Sequence, residues 1–291
     1  MKKKVFLFGL LFSLLLLCGC GVNLTSTVKL NKDFSGTRVM SCTFSSRDFH
    51  SYFKGSKEDL NKLIKESCPD ALTYTSSSSD GNDTYTFYLR FSSLDDYKKK
   101  VRDLLNFSPK ITYEYGDSPF VSGLIYKENF TSKDLMTWLY TALYEGKYID
   151  KDSSSDLWDL KSTKISFLGT TYETKDKINI DQMAYVPLSS IHIDTKTKKS
   201  GKLARVIEFD LPQQTLDQNA GKIRSYFAEN DITWENTSDG KTLCISFDAN
   251  NFSDLAQKTR TVLHSKNSFG TYSSTCSKDN PFTLKINYEE S

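Results

Sequence analysis

The sequence predicts an α+β protein built as two copies of one unit with antiparallel sheets, joined by a helical connector. Three observations carry this. The composition, 38% hydrophobic and 25% charged over 291 residues, is that of a folded globular chain and excludes disordered, collagenous and polytopic membrane classes. Short segments of the first part reappear in the same order in the last hundred residues. Within each copy, apolar residues at period 2 alternate with runs at helical spacing.

The matches run as follows. Ser35-Gly36-Thr37-Arg38-Val39 answers to Ser200-Gly201 followed by Arg205-Val206, and Leu72-Thr73-Tyr74 to Ile232-Thr233-Trp234. Ser79-Asp80-Gly81 answers to Ser238-Asp239-Gly240, a turn before a strand in both copies. Leu94-Asp95-Asp96-Tyr97 aligns with Phe252-Ser253-Asp254-Leu255, which places Lys100, Arg102 and Leu105 on Lys258, Arg260 and Leu263. Asp117-Ser118-Pro119-Phe120 matches Asp279-Asn280-Pro281-Phe282. Five matches in order predict a first repeat over 20–130 and a second over 189–291, with 131–188 as a helical and extended connector.

Val22, Leu24, Val28 and Leu30 alternate as in a strand, and a turn at 31–36 leads into a second strand over 37–44. Ser56-Lys57-Glu58-Asp59 has capping-box spacing, and Leu60, Leu63 and Ile64 follow at helical spacing. Strands are expected at 71–75 and 84–91 around the Ser/Asp/Gly turn. A helix over 94–106 puts Leu94, Tyr97, Val101, Leu104 and Leu105 on one face, and strands at 111–115 and 123–130 close the unit. The second copy repeats this with Ile191 and Ile193, a strand over 205–211, a helix over 215–230, strands at 231–236 and 242–248, and a helix over 252–264. A βαββαβ order is that of a split-βαβ, ferredoxin-like sandwich with its helices on one sheet face. In the connector, Thr131-Ser132-Lys133-Asp134 caps a helix that is apolar nearly all round as far as Gly146; such a helix is buried or covered by a partner, and burial is expected. Short strands are expected at 165–168 and 183–186.

Met1-Lys2-Lys3-Lys4 followed by the uncharged run 5–17 has the form of a signal peptide, and the run is too short for a bilayer-spanning helix. Leu17-Cys18-Gly19-Cys20-Gly21 resembles the bacterial lipobox, with Gly19 just before Cys20 and Leu17 three residues before it. That resemblance implies a signal peptide over 1–19, cleavage between Gly19 and Cys20, and a diacylglyceryl group on the Cys20 thiol. Two acyl chains hold a protein stably on a membrane where one holds it marginally. Removing Lys2, Lys3 and Lys4 from the 38 basic residues leaves 35 against 36 acids, so no nucleic-acid footprint is expected.

Beyond Cys18 and Cys20, each copy holds two cysteines, Cys42 with Cys68 and Cys244 with Cys276. Four thiols allow three pairings; pairing within each copy is the simplest, and free buried thiols are the alternative. His50, His192 and His264 fall in different segments, and without CxxC or HExxH no metal site is expected. GxSxG, P-loop and GxGxxG patterns are absent. Ser26-Thr27-Val28-Lys29 spells SxxK but lies in an expected strand without SDN or KTG companions. Asp95 and Asp96 fit the first turn of a helix, where acids complement its dipole. Lys98-Lys99-Lys100 and Lys196, Lys198 and Lys199 read as solvated faces. No catalytic residue and no cofactor are expected. Among the abundant aromatics, Tyr113, Tyr115, Trp138 and Tyr140 remain as ligand-binding candidates.

The run from Val22-Asn23-Leu24-Thr25 through Asp33-Phe34-Ser35-Gly36-Thr37 resembles the start of LppM-type (DUF3153) bacterial lipoproteins, where a lipidated Cys leads into a hairpin with a polar, Gly-containing turn. The resemblance implies a surface-anchored α/β lipoprotein with a binding or structural role and transfers no catalytic residue. The expectation is a non-enzymatic binding or scaffolding lipoprotein on the outer face of a Gram-positive-type cell membrane. Its expected partners are the membrane, through Cys20, and an envelope protein, lipid or wall polymer. A lipid- or glycolipid-binding lipoprotein is the alternative, and an envelope hydrolase is disfavoured by the missing motifs.

Overall fold

The computed structural model describes residues 22–46, 53–105, 107–150, 157–227, 232–236, 239–263, 272–280 and 283–290. Among them the fold is α+β, with five α-helices and mostly antiparallel sheets. Two compact units divide the chain: one takes in residues up to Tyr115 together with Leu124–Gln182, the other Gly116–Gly123 together with Met183–Ser291.

In the first unit, β1 (Val22–Leu30) and β2 (Gly36–Ser45) form the expected hairpin. Its turn holds Phe34 at φ 62°, and the buried ring lies 4.7 Å edge-on from Tyr113 and 5.6 Å from Tyr126, so aromatic packing offsets the left-handed backbone. A Cβ at position 36 would lie 2.1 Å from the Lys29 carbonyl oxygen, which restricts that position to glycine. Helix α1 (Lys57–Ser67) opens on the expected capping box, with Asp59 N–H donating to Ser56 Oγ (3.2 Å) and Ser56 N–H to Asp59 Oδ2 (2.8 Å). Strands β3 (Thr73–Ser79) and β4 (Asn82–Phe91) form a hairpin, with β4 against β2, and α2 (Leu94–Leu104) follows.

The strands after α2 do not close this sheet. β5 (Ile111–Asp117) and β6 (Val121–Glu128) lie in a separate sheet, where β6 also pairs with β9 (Asn179–Asp181). The place beside β2 that a βαββαβ order gives to its last strand is held by β1. Of the segment expected as a connector, residues 131–182 fall in the first unit and 183–188 in the second. A 3-10 turn (Asp134–Met136) and α3 (Thr137–Glu145) lead to β7 (Trp158–Phe167), which pairs parallel with β1, and β8 (Thr170–Thr174) completes the order β3-β4-β2-β1-β7-β8. The connector helix is shorter and less uniformly covered than its composition suggests: Leu139 and Leu143 are buried, whereas Tyr144 is exposed.

The second unit contains β10 (Ala184–Tyr185), β11 (Ser190–Thr197), β12 (Leu203–Pro212), α4 (Gln213–Tyr226), β13 (Ile232–Asn236), β14 (Gly240–Ala249) and α5 (Phe252–Val262). Its main sheet is ordered β11-β12-β14-β13, and β15 (Tyr272–Asn280) and β16 (Thr283–Glu290) form a two-stranded sheet. Ile207, Phe209, Ile223, Phe227, Leu243 and Ile245 make the core, and Phe120 stacks on Phe209 at 6.1 Å with planes 10° apart.

Helices α2 and α5 begin alike. Ser93 Oγ accepts from Asp96 N–H and Asn251 Oδ1 from Asp254 N–H; each Asp carboxylate accepts from the backbone N–H four residues before it. One turn on, Lys100 Nζ donates to Arg90 O (2.9 Å) and Lys258 Nζ to Asp248 O (2.8 Å). The Asp95-Asp96 pair thus serves the helix start: N–H donation from Ser92 is the main reason the Asp96 carboxyl lies below its usual range.

Candidate functional site

Strand parity puts a charge into the first core. Arg38, Met40, Cys42 and Phe44 alternate on the buried face of β2, and Leu124, Tyr126 and Glu128 on that of β6. Arg38 is 1% exposed, so its guanidinium must be paired inside the protein. Nη1 donates to Glu128 Oε2 at 2.8 Å and to Tyr97 Oη at 2.6 Å, and Nη2 donates to Ser132 Oγ at 2.9 Å. Tyr97 Oη donates to Glu128 Oε1 at 2.7 Å, and Tyr126 Oη donates to the same oxygen. Ser132 Oγ lies 3.0 Å from Thr163 Oγ1 of β7, and the Phe130 ring lies 5.7 Å from Arg38 Cζ.

Burial opposes the charge on Arg38, but Glu128, then Tyr97 and Tyr126, outweigh it and hold the guanidinium more firmly protonated than in water. Burial is also the main reason both phenols are far harder to ionise than a free tyrosine. With every member buried, no substrate reaches these groups, and the network fastens β2, α2, β6, residue 132 and β7 to one another. No catalytic or ligand-binding motif contains it, although Arg38 stands out in the alternation as a charge in phase with core residues.

The second unit buries Arg205 (2% exposed) on β12, where Nε donates to Thr195 Oγ1 at 3.0 Å and Nη1 to Thr259 Oγ1 at 2.8 Å. On this unit's sheet, Ser190, His192 and Asp210 come together, with His192 Nε2 3.1 Å from Ser190 Oγ and 3.5 Å from Asp210 Oδ2. The Ser190 hydroxyl donates to Asp210, so the carboxylate holds the serine proton directly and does not orient the imidazole as in a catalytic triad. The Ser26/Lys29 pair is likewise separated: Ser26 faces the core and Lys29 solvent, as an offset of three along a strand dictates.

The four aromatic candidates fall into two places. Tyr113 and Tyr115 are half-buried on β5, edge-on to Phe167 at 6.4 and 5.1 Å; Tyr113 Oη also donates to Lys32 O at 2.9 Å. They pack the β1–β2 turn. Trp138 and Tyr140 lie on α3, where Trp138 is edge-on to Phe87 at 5.4 Å and Tyr140 stacks on Tyr144 at 6.4 Å. Trp138 also lines an open groove of about 460 Å³ between α1, α2 and α3, with Leu63, Leu104 and Ala142 beside it and Asp103 and Glu145 at its rim. Trp138 Nε1 is buried without a hydrogen-bond partner. This groove is the candidate site. Its lining mixes these apolar side chains with Ser67, Thr137 and Thr141 and two exposed carboxylates, a surface suited to a side chain with an apolar stem and a cationic head.

Cys42, Cys68 and Cys244 carry free thiols, so the expected Cys42–Cys68 bridge is not formed. Cys42 points into the core from mid-β2, whereas Cys68 caps α1 with its Sγ 3.9 Å from Pro69 O. Of Cys276 only the backbone is described, and Cys20, His50 and His264 lie outside the described residues. Burial makes the thiols of Cys42, Cys68 and Cys244 harder to ionise than usual. Thiol titration of residues 21–291 carrying Cys276→Ser, unfolded without reductant, is therefore expected to count three thiols, with Cys42 unreactive until unfolding. A count of one would restore the Cys42–Cys68 bridge.

No family model matches the chain, and no curated protein matches it.

Proposed function

We propose that this chain is a non-enzymatic lipoprotein, anchored through diacylglyceryl-Cys20 to the outer face of a Gram-positive-type cell membrane. Its groove between α1, α2 and α3 binds an envelope protein through a basic, partly apolar segment. The groove, with Trp138 among its apolar lining and Asp103 and Glu145 at its rim, is the observation that carries the binding reading. The charged n-region, apolar run and small-residue-Cys junction support the anchor. Only Gly21 separates Cys20 from β1, a reach of about 7 Å, so the body sits close against the bilayer.

We further read the two units as diverged copies of a ferredoxin-like sheet in which an N-terminal strand takes the place of the last one. Support comes from the shared orders β1-β2-β4-β3 and β11-β12-β14-β13, the matching caps and lysines of α2 and α5, and Arg38 and Arg205 at the same place in their sheets.

The test is a photo-cross-linking residue at the exposed Thr141, on the groove wall, in the full chain in its own envelope. The expected result is one discrete protein adduct, reduced at least tenfold by Asp103→Lys with Glu145→Lys, since like charges facing each other cost more than the ~1.4 kcal/mol that a tenfold change represents. An adduct with glycerolipid would transfer the protein to the lipid-binding class. An adduct indifferent to the charge reversal, or none, would remove the groove from the proposal.

A further inference from the structure

The two sheets share strand order but differ at one edge. In the first, β1 lies between β2 and a parallel β7 in a register running from Val22↔Trp158 to Leu30↔Phe167. In the second, β11 occupies β1's position: Val28 stands opposite Arg38 and Thr195 opposite Arg205, which sets Leu24 and Ser26 against Ile191 and Ile193. Leu24 and Ser26 are 0% and 3% exposed; Ile191 and Ile193 are 50% and 53% exposed. Both isoleucines lie on the core side of their sheet, across from the buried Phe209 and Ile207. Among the described residues no strand pairs with the outer edge of β11.

Natural edge strands are usually blunted by polar side chains, and β3, the edge strand of sequence TYTSSSS, shows that device. β11 is polar on its outward face, at His192, Asp194 and Lys196, but on its core side it presents two adjacent apolar side chains, Ile191 and Ile193, beside a row of backbone donors and acceptors. We infer that the open edge of β11 is a docking edge for an extended segment of a partner protein, added parallel to β11 with apolar residues at alternate positions. The first unit supplies the pattern for that occupant: β7 puts Thr163, Ile165 and Phe167 into the core at alternate positions while Lys161 and Lys164 stay exposed. Main-chain hydrogen bonds would supply affinity, and the alternation the register. The inference rests on the matching strand order and register of the two sheets and is independent of the groove.

The probe is a fluorescent peptide of residues 158–167, titrated by anisotropy into the whole chain from Gly21 onward. Saturable binding is expected, weakened at least tenfold by Ile191→Asp with Ile193→Asp, and equally by Ser162→Pro in the peptide, which removes an N–H and bends the strand. The thermal midpoint of the doubly substituted chain should fall by no more than about 5 °C, since both isoleucines are half exposed. Absent binding, or binding indifferent to both changes, overturns the inference. So does a midpoint lowered by more than about 10 °C, which would show that the chain itself covers Ile191 and Ile193. A native mass spectrum with a dimer abolished by the same aspartates would give the edge to a second copy and overturn the partner strand.

Discussion

Glu128→Leu is expected to destabilise the first unit by roughly 3–5 kcal/mol, the cost of leaving a buried guanidinium without its counter-charge. The change strands more than Arg38, because Tyr97 and Tyr126 also lose their common acceptor. Urea unfolding of residues 21–291, followed through the aromatic signal, should show a midpoint lowered by roughly 1–2 M. Arg38→Met combined with Glu128→Leu should recover most of the loss, since a well-packed apolar pair is often as stable as the ion pair it replaces. The double-mutant cycle then reads the coupling directly. A Glu128→Leu cost below about 1 kcal/mol would mean that the Arg38 charge is compensated elsewhere.

The same network makes the fold sensitive to alkali. In the unfolded chain Tyr97 and Tyr126 ionise near pH 10, whereas in the fold both keep their protons far beyond it, chiefly through burial. Above pH 10 the unfolded state therefore holds fewer protons than the folded one, and stability falls as pH rises. The contribution is complete below pH 10 and is lost at about 1.4 kcal/mol per pH unit for each phenol. Tyr85, pushed up to about 12 mainly by burial, acts in the same direction. Phenolate absorbance should accordingly rise smoothly for the exposed tyrosines and then step upward together with loss of circular dichroism. Tyr97→Phe should flatten the stability slope above pH 10 by one phenol. A smooth titration of all 16 tyrosines while the fold persists would contradict their burial.

Local elements were legible because they are written in local patterns. The capping box at Ser56, the α2 start after Ser93 and the β2 alternation all need only a few neighbouring residues, and all are found. Helix α4 begins at Gln213, two residues before Thr215, whose hydroxyl donates to Pro187 O; that long-range bond left no mark in the local pattern. Sheet closure was misread for the same kind of reason. Nothing in residues 111–128 says that the slot beside β2 is already filled, and nothing in 158–167 names β1 as its partner. The groove is legible only in part: Trp138 stood out as an aromatic on an apolar helix, but its acidic rim joins Asp103 and Glu145 from different helices. Arg38 belongs to the repeated segment, and that a charge in phase with Met40 and Cys42 is buried becomes visible only in the fold. Glu128 as its partner required the fold.

The parallel pairing of β1 with β7 sets an order of events for a chain made N-terminus first. β1 can form its hairpin with β2 as soon as residue 45 emerges, but its other edge stays open until residues 158–167 arrive. Closing so long a loop costs entropy before any contact rewards it, which makes this the slow step of the first unit. Until then Val22, Leu24, Val28 and Leu30, all destined for the core, wait on an open strand edge, where association with other chains competes with folding.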